Sequence, residues 1–586
     1  MSLLASLARA YDRMPELPRP SYSTEKIGFV IGLNPDGTIA SVSDLRDGEG
    51  RKKTARMMQV PQGAKRTAAI VPNLLWDKTA YVLGVTAGEG RRTADEHAAF
   101  KARQTEVFGA SDDEGLVAFL RFLDRWTPDQ FVSPGWPEEM KDANVVFALE
   151  SERLDRVYLH DRAAARQRLA QSAISAKGPQ DGPVCLITGA PAPVARLHPA
   201  IKNIWGGQSS GGAIVSFNLE AFTSYGHEQG DNAQISEEAA FRYTTALNAM
   251  LAGRRNRVQV ADASTVFWAD ASGFVAEAAE DAFGQMFNGV DEARQGDKVG
   301  QVLERVRAGI PFPEATAGLV PDLAHGVRFH VLGLAPNAAR IAIRFWFEDD
   351  FGVLAENYRR YVEDLRVEPA GRDPYPPLWR YLNETAVLGK RENVQPNLAG
   401  EMMRAILTGG RYPMTLLSAV LTRIRADGEI NALRVGLLRA VLRRNFNMEK
   451  EAPVALDPDN RNKGYLLGRL FALYEYAQTA ALGRNVNATI KDKFYASASA
   501  SPRRVFSLLE RGSVNHLSKV GKQRPGQRVN LERAIGEIMG AMTPGEDPFP
   551  ASLPAEDQAL FGLGYYHQRN QQFVKQDSSA PGEGQP

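Results

Sequence analysis

Apolar positions follow two different patterns along this 586-residue chain, and the change comes near residue 395. Before it, short apolar runs alternate irregularly with stretches of helical spacing. Such runs, when turn-forming residues bound them, are typical of buried strands. Strands are predicted on this basis at 27–33, 39–42, 80–85, 184–188, 213–217, 265–268, 327–332 and 341–347, and helices at 115–126, 153–171 and 239–251. We therefore expect an irregular mixed α/β region over residues 1–395, with room for two subdomains.

Two connections in this region are specific enough to predict turns. Asn34-Pro35-Asp36-Gly37 separates the first two apolar runs, which is the pattern of a β-hairpin. The segment 333–337, Gly-Leu-Ala-Pro-Asn, is expected to join the last two strands, because Gly, Pro and Asn favour turns.

After residue 395 the apolar positions recur every three or four residues, which places them on one face of successive helices. The predicted helices cover 413–426, 430–442, 466–474, 505–509 and 531–539. Short breaks between them predict an all-α helical bundle over residues 396–575. The polar tail, 576–586, is rich in Gly, Pro and Ser, so we expect it to be disordered. The fold class is therefore α+β.

Composition narrows the class of protein. The chain is 44% hydrophobic and 24% charged, which is typical of a globular protein, and its length predicts two or three domains. Cys185 is the only cysteine, so internal disulfides and multi-thiolate zinc sites are excluded and a reducing cytoplasm is expected. The eight histidines show no metal-binding spacing, and no apolar run approaches the ~20 residues that span a bilayer. We expect no metal, no cofactor and no membrane contact.

Charge is distributed unevenly, although the net charge is only +1. Residues 401–528 hold 22 Lys or Arg against 10 Asp or Glu, a net of +12, which leaves 48 against 59, or −11, for the rest. A basic segment in a near-neutral protein often faces a polyanion, because contact with phosphates releases counterions. Solvated helix faces without a ligand are the alternative.

The densest basic cluster lies between the hairpin and residue 72. It holds six cations and no acid between residues 51 and 66: Arg51, Lys52, Lys53, Arg56, Lys65 and Arg66. Like charges in one loop repel each other unless an anion is present. We therefore expect a phosphate-contacting loop here.

The segment 203–212 has the most unusual composition in the chain. Gly207-Gln208-Ser209-Ser210-Gly211 matches the G-x-S-x-G pattern of a hydrolase nucleophile, but that pattern needs a helix after the serine, and a strand-like run follows instead. A phosphate-binding P-loop would need a Gly-Lys-Ser/Thr ending, which is absent. The remaining interpretations are a flexible loop that approaches a phosphate or a base edge closely, and a tight turn without a ligand.

Cations also gather at the predicted ends of the bundle helices. They are Arg443, Arg444, Arg503, Arg504, Lys519, Lys522, Arg524 and Arg528. One such pair would be explained by the helix dipole, but several together favour a path for a nucleic-acid backbone.

Several of these segments together resemble the large subunit of type I-C CRISPR surveillance complexes, the Cascade class of effector. The matching segments are LLWD (74–77), YVLG (81–84), GGQSSG (206–211), VSFN (215–218), SYG (224–226), AFRYTTALN (240–248), LGLAPN (332–337), YLLGRLFA (465–472) and LGYYHQ (563–568). They follow the family's order along nearly the whole chain. Ala335 stands where the family usually has Ser, a small change at a predicted turn.

The resemblance implies a non-catalytic protein of antiviral defence that works with the backbone, handle-binding and small subunits of a crRNA-containing complex. It would recognise the protospacer-adjacent motif (PAM) in double-stranded DNA, stabilise the opened strands of the R-loop and help recruit the helicase-nuclease. The 51–66 cluster and Asn73 would contact the flanking duplex, Gln208, Ser209 and Ser210 would approach the nucleic acid closely, and the bundle cations would hold the displaced strand. The resemblance also implies that the bundle is made separately from an internal start, for which Met448 is the candidate. The alternatives are a hydrolase using Ser209 and a protein scaffold with a basic bundle.

Overall fold

The computed structural model describes residues 2–14, 16–48, 53–63, 69–132, 135–175, 182–271, 273–288, 297–483, 487–543 and 545–571. The predicted disordered tail, 576–586, lies outside these ranges. By backbone packing the chain forms two compact units, Met1–Pro199 with Val215–Ala246, and Ala200–Ile214 with Leu247–Pro586. The domain boundaries expected from the sequence, at residues 395 and 575, stay a prediction.

The first unit contains a four-stranded sheet, a separate two-stranded ribbon and surrounding helices. Its elements are α1 (Leu3–Asp12), β1 (Tyr22–Ile27), β2 (Phe29–Leu33), β3 (Ile39–Asp44), β4 (Arg56–Pro61), β5 (Trp76–Lys78), α2 (Thr79–Val82), α3 (Thr93–Phe108), α4 (Glu114–Arg125), β6 (Asn144–Leu149), α5 (Glu150–Arg153), α6 (Ala163–Ser175) and the start of α7 (Glu237–Ala252). The sheet order is β3-β2-β6-β5, with β2 and β6 parallel, and β1 pairs antiparallel with β4.

The predicted hairpin is confirmed as β2 and β3. Asn34 N donates to Thr38 O at 2.9 Å, and Gly37 takes φ +87°, a conformation that glycine adopts without strain. Strand β2 is buried on both faces, because its alternate residues belong to two different apolar clusters. This explains why its sequence is a continuous apolar run.

Two predicted strands of this unit are wrong. Residues 80–85 form helix α2 and a turn, with Tyr81, Val82 and Leu83 buried. Residues 184–188 make only an isolated bridge between Val184 and Pro191, because the prolines around them cannot donate to a ladder. The predicted helix 153–171 is interrupted, since α5 ends at Arg153 and α6 begins at Ala163.

The second unit combines an antiparallel sheet with the C-terminal helices. Its elements are β7 (Arg257–Val260), β8 (Ala263–Ala269), α8 (Phe274–Asn288), α9 (Lys298–Arg307), α10 (Phe312–Thr316), β9 (Arg328–Asn337), β10 (Arg340–Asp350), α11 (Phe351–Leu365), α12 (Leu378–Asn383), α13 (Pro396–Thr408), α14 (Met414–Asp427), α15 (Ala432–Phe446), α16 (Lys463–Leu482), α17 (Ile490–Ala500), α18 (Pro502–Gln523), α19 (Pro525–Gly540) and α20 (Ala555–Gln571). The strand order is β10-β9-β8-β7, and one apolar core extends from the sheet through the helices. These elements confirm the α+β class, with a mixed region followed by helices.

Two further predictions need correction. Residues 213–217 form no strand, because only Ala213 makes a single bridge, to Arg340. The segment 333–337 is not a connection but the end of β9, and the turn follows at Ala338, whose φ is +52°. Pro336 is tolerated because β9 pairs with β8 only as far as Leu334.

The C-terminal helices pack around the contact between α16 and α20. A Cβ on Gly468 would lie 2.0 Å from Phe561 O, and one on Gly564 would lie 2.2 Å from Tyr465 O. The two helix backbones can approach this closely only because glycine occupies both positions. No helix in the described ranges combines the length and the apolar composition that crossing a bilayer requires.

Candidate nucleic-acid interface

The N-terminal basic cluster is only partly described. Arg51, Lys52, Lys65 and Arg66 lie outside the described residues. Lys53 Nζ lies 2.8 Å from Asp44 Oδ2, and Arg56 Nη2 lies 3.2 Å from Asp47 Oδ1. A bridge between Asp47 and Thr54 brings these charges together.

The acids that face these cations come from just before the cluster in sequence. Arg46 Nε also donates to Asp44, at 2.8 Å, and with Lys53 it holds the pKa of the Asp44 carboxyl well below its usual range. Lys53 and Arg56 therefore have counter-ions within the chain. Charge repulsion within residues 51–66 therefore does not require an external anion beside Lys53 or Arg56. Their contact with phosphate stays a prediction.

Asn73 is 6% exposed and held through its backbone. Its N–H donates to Asp77 Oδ2 at 2.8 Å, and its carbonyl accepts from Gln104 Nε2 at 2.7 Å. The backbone of Asn73 is thus fixed just before β5. Its contact with flanking duplex stays a prediction.

Gln208, Ser209 and Ser210 lie in an exposed loop. The loop is closed at its base by a reciprocal pair of backbone hydrogen bonds between Ile201 and Gly212, at 2.8 and 2.9 Å. Gly211 N donates to Gln208 O at 3.0 Å, which makes a turn at the tip. This geometry presents three small polar side chains to solvent on a defined backbone.

Trp205 adds an aromatic surface to the same loop. Its backbone N–H donates to Ser264 Oγ at 2.9 Å, yet the residue is 60% exposed. Arg391 Cζ lies 5.7 Å from the centroid of the Trp205 ring. An exposed aromatic ring beside a cation is the combination that stacks bases in single-stranded nucleic acid.

The loop does not have the architecture of a hydrolase nucleophile. That architecture holds the serine on a sharp turn between a strand and a helix. Ser209 is followed by Gly212 and Ala213 in isolated bridges, and the next helix in the chain, apart from short 3₁₀ turns, is α7.

Arg443 and Arg444 lie inside the helical region rather than on its surface. Their side chains are 13% and 12% exposed, and both face Asp364. Arg444 Nε donates to Asp364 Oδ2 at 2.8 Å, and its guanidinium stacks on Tyr412 at 4.3 Å from the ring centroid. These contacts give both arginines a structural role, and their predicted contact with the displaced strand stays a prediction.

Helix α18 carries an exposed basic face. Arg504, Arg511, Lys519 and Lys522 are all exposed, and their spacings of seven, eight and three residues place them within about 80° around the helix axis. At 1.5 Å per residue they extend over about 27 Å. We call these four residues the α18 basic face.

The α18 basic face has no acidic partner among the described residues. Glu510, the one acid in α18, lies about 100° or more away around the axis. The opposite side of the helix is buried through Val505, Phe506, Leu509, Leu517 and Val520, which fixes the face toward solvent. Such a row of unpaired cations matches the spaced phosphates of a nucleic-acid backbone.

The other predicted bundle cations are exposed but mostly engaged. Arg503 pairs with Asp547, Arg524 Nη1 donates to Gln527 Oε1 at 3.1 Å, and Arg528 pairs with Glu532 at 2.7 Å. Met448, the candidate internal start, follows α15, and its N–H donates to Leu442 O at 3.1 Å.

Sequence reasoning missed Trp205 and Arg511 as candidate contacts. Arg511 could have been found from its helical spacing to Arg504 and Lys522, had α18 been predicted at its full length of 22 residues. The pairing of Trp205 with Arg391 has no local signal, because 186 positions separate them in sequence. Among the described residues, no group of His, Cys, Asp or Glu side chains has the arrangement of a metal site.

Proteins that bind nucleic acid combine exposed basic surfaces with accessible aromatic rings. The α18 basic face and the glycine-rich loop with Trp205 are features of this kind. The family model of CRISPR-associated protein Csd1 (Cas_Csd1) matches residues 7–573. The chain belongs to this family, which supports the expected Cascade-type CRISPR protein that associates with other components of such a complex. None of the curated proteins matches the sequence.

Proposed function

We propose that this protein is the large subunit of a type I-C Cascade complex, that it recognises the PAM in double-stranded DNA, and that it stabilises the opened strands without cutting them. The observation that carries the proposal is the α18 basic face in a chain of the Csd1 family. Four exposed cations in a row suit the backbone of the displaced strand, because contacts with phosphate are strong and independent of sequence.

The exposed loop at Gln208, Ser209 and Ser210 supports a second part of this proposal. Short polar side chains near glycine can approach base edges closely, and contacts to base edges are what distinguish one DNA sequence from another. We assign this loop to reading or supporting the flanking motif. We propose that the segment around Lys53 and Arg56, together with Asn73, contacts the flanking duplex. Recruitment of the helicase-nuclease is proposed for the assembled complex.

The test is to assemble the chain with the other Cascade subunits and a crRNA, and to measure DNA binding over a salt series. A duplex library randomised beside the target identifies the flanking motif. Replacing Arg504, Arg511, Lys519 and Lys522 together by Gln should weaken binding and flatten the salt dependence. The slope of log K against log salt should fall by about 0.7 for each single-strand phosphate that the variant no longer neutralises.

A matched control removes the same charge elsewhere. Arg92, Arg254, Arg360 and Lys450 are exposed and form no ion pair within 4 Å in the described ranges. Replacing these four by Gln should leave the salt slope within about one unit of the wild type. If both quadruple variants change binding equally, net charge rather than the α18 basic face is responsible, and the proposed contact is wrong.

A triple Ala variant at Gln208, Ser209 and Ser210 separates sequence reading from backbone contact. No charge is removed, so the salt slope should stay the same while preference for the flanking motif falls.

The two alternative functions predict other outcomes. Ester hydrolysis that the Ser209→Ala change abolishes, or Mg²⁺-dependent DNA cleavage by the chain alone, would indicate an enzyme. Salt-sensitive protein binding with no affinity of the assembled complex for DNA would indicate a scaffold.

A further inference from the structure

A cavity of about 390 Å³ lies within the second unit, between the end of α9, one face of α11 and the segment that joins α11 to α12. This volume falls at the lower end of the range of small-molecule pockets, about 300–1,000 Å³. Four tyrosines line it: Tyr358, Tyr361, Tyr375 and Tyr381.

The helices bring these rings together. Tyr358, Tyr361 and Leu365 follow one another at spacings of three and four residues on α11, so they share one face of the helix. Tyr381, from α12, packs edge-on against Tyr361 with ring centroids 6.4 Å apart. Tyr375 is 39% exposed, whereas the other three are buried. Flat aromatic walls with one accessible ring favour a planar ligand.

Arg307 places a positive charge in this cavity. It is the last residue of α9 and is only 7% exposed. Its Nη2 donates to Gln285 O at 3.2 Å, its Nε donates to the Tyr358 hydroxyl at 3.4 Å, and its Cζ lies 5.7 Å from the centroid of the Tyr375 ring.

No acid pairs with Arg307 among the described residues. The two acids that line the cavity are already paired, Glu368 with Arg366 at 3.2 Å and Asp373 with Arg380 at 3.0 Å. A buried cation without a counter-ion is costly, and a guanidinium offers a planar pair of donors that matches a phosphate. The cavity therefore suits a ligand that carries an anionic group.

The Tyr361 hydroxyl at the wall of the cavity is also unsatisfied. It is buried and makes no hydrogen bond to any described residue. Burial raises the pKa of this hydroxyl well above its usual value, so it stays protonated and can donate. A buried donor without an acceptor is uncommon in folded proteins, and a ligand that enters the cavity could supply the acceptor.

We infer that this cavity binds a planar ring that carries a phosphate, the chemistry of a mononucleotide, with the ring among the tyrosines and the phosphate at Arg307. The ligand has two possible sources, the free mononucleotides of the cell and a nucleotide of a single strand. The inference does not rest on the proposed role of the α18 basic face, because the two surfaces share no residue.

The test is calorimetric titration of the full chain with adenosine 5′-monophosphate. We expect saturable binding at one site, and binding at least tenfold weaker for adenosine or inorganic phosphate alone. Arg307→Lys keeps the charge but loses the planar pair of donors, and Tyr375→Ala removes the accessible ring, so each should weaken binding about tenfold. Tyr225→Ala is the matched control, since Tyr225 is 99% exposed and belongs to the first unit.

Thermal unfolding of each variant shows whether a loss of binding reflects a loss of fold. Tyr375 is partly exposed, so its variant tests the cavity even if Arg307→Lys destabilises the chain. Absence of saturable binding to the wild type, or wild-type affinity in both cavity variants, overturns the inference. Competition identifies the source: displacement by a single-stranded oligonucleotide indicates a strand, and displacement by mononucleotides alone indicates the free pool. An unchanged salt slope in the quadruple Gln variant of the α18 basic face would contradict the proposed function. It would not affect the result for this cavity.

Discussion

At the scale of single residues, His567 shows how burial fixes a protonation state. It is 2% exposed, its Nδ1 accepts from the Tyr465 hydroxyl at 2.9 Å, and its Nε2 donates to Val454 O at 3.0 Å. Burial lowers the pKa of His567 to about 4. The imidazole is therefore neutral at physiological pH and links α16 to α20.

This shift predicts a pH dependence of stability. Between the unfolded pKa of about 6.5 and the folded value of about 4, the unfolded chain binds a proton that the folded chain does not, so stability falls as the pH falls through that window. From pH 7.5 to pH 5 the loss due to His567 should be about 2 kcal/mol. His567→Gln keeps a hydrogen-bond donor and an acceptor but cannot titrate. Urea unfolding should show that the free energy of unfolding falls by about 2 kcal/mol less in this variant than in the wild type over the same pH range. An equal pH effect in both proteins would mean that His567 titrates normally in the folded state.

Single residues also show where prediction from sequence reaches its limit. The sequence predicts a phosphate-contacting loop over residues 51–66, because the six cations there have no acid among them. Asp44 and Asp47 supply counter-ions to Lys53 and Arg56 from outside that segment, through a bridge that brings the two segments together. The composition of one segment cannot show which charges form ion pairs, because the partners can come from other segments that the fold brings close.

At the scale of secondary-structure elements, the contact between α16 and α20 depends on glycine. Gly468→Ala would place a methyl group 2.0 Å from Phe561 O, and backbone atoms cannot move aside as a side chain can. We expect a destabilisation of about 1–3 kcal/mol or more from this overpacking. Thermal or urea unfolding of the full chain measures it.

The matched control is a glycine in the interior of a neighbouring helix. Gly536, in α19, has no atom within 4 Å of an added Cβ. Gly536→Ala should therefore stabilise the chain by about 0.5–1 kcal/mol, through helix propensity and reduced freedom of the unfolded chain. Equal effects of the two substitutions would show that the α16–α20 contact tolerates a side chain.

The same scale explains which elements the sequence could predict. The C-terminal helices α14, α15, α16 and α19 were found because a spacing of three or four sustained over successive turns is rarely produced by anything except an amphipathic helix. Of α18, only residues 505–509 were predicted. Strand β6 was missed and residues 80–85 were wrongly predicted as a strand, although both are short apolar runs. Such runs fit a buried strand or a buried helix equally well, and long-range pairing decides between them. The candidate site follows the same rule: Arg504, Lys519 and Lys522 of α18 were predicted from sequence, whereas Arg511 was missed with the length of the helix and the pairing of Trp205 with Arg391 required the folded chain.

At the scale of the whole molecule, the structure bears on the separate product expected from Met448. A chain that begins there would contain α16 to α20, including the α16–α20 contact and the complete α18 basic face. It would lack α15, which packs against α20 in the full chain. The short product would therefore keep the surface proposed for the displaced strand and expose an apolar helix face, which suits assembly with other subunits.

The internal start can be tested by Met448→Leu in a gene that encodes a C-terminal epitope tag. Leu and Met have similar volumes, so the full-length protein should fold and accumulate normally. The leucine codon is chosen as CTC, which does not start translation, so we expect the short tagged product to disappear. Met414→Leu, at the first residue of α14, is the matched control and should leave the short product in place. A short product that persists unchanged in Met448→Leu would show that translation starts elsewhere or that the fragment comes from proteolysis. If the product does disappear, DNA binding by the assembled complex should weaken, because the additional copies of the α18 basic face are lost. Adding the separately made C-terminal fragment should then restore it.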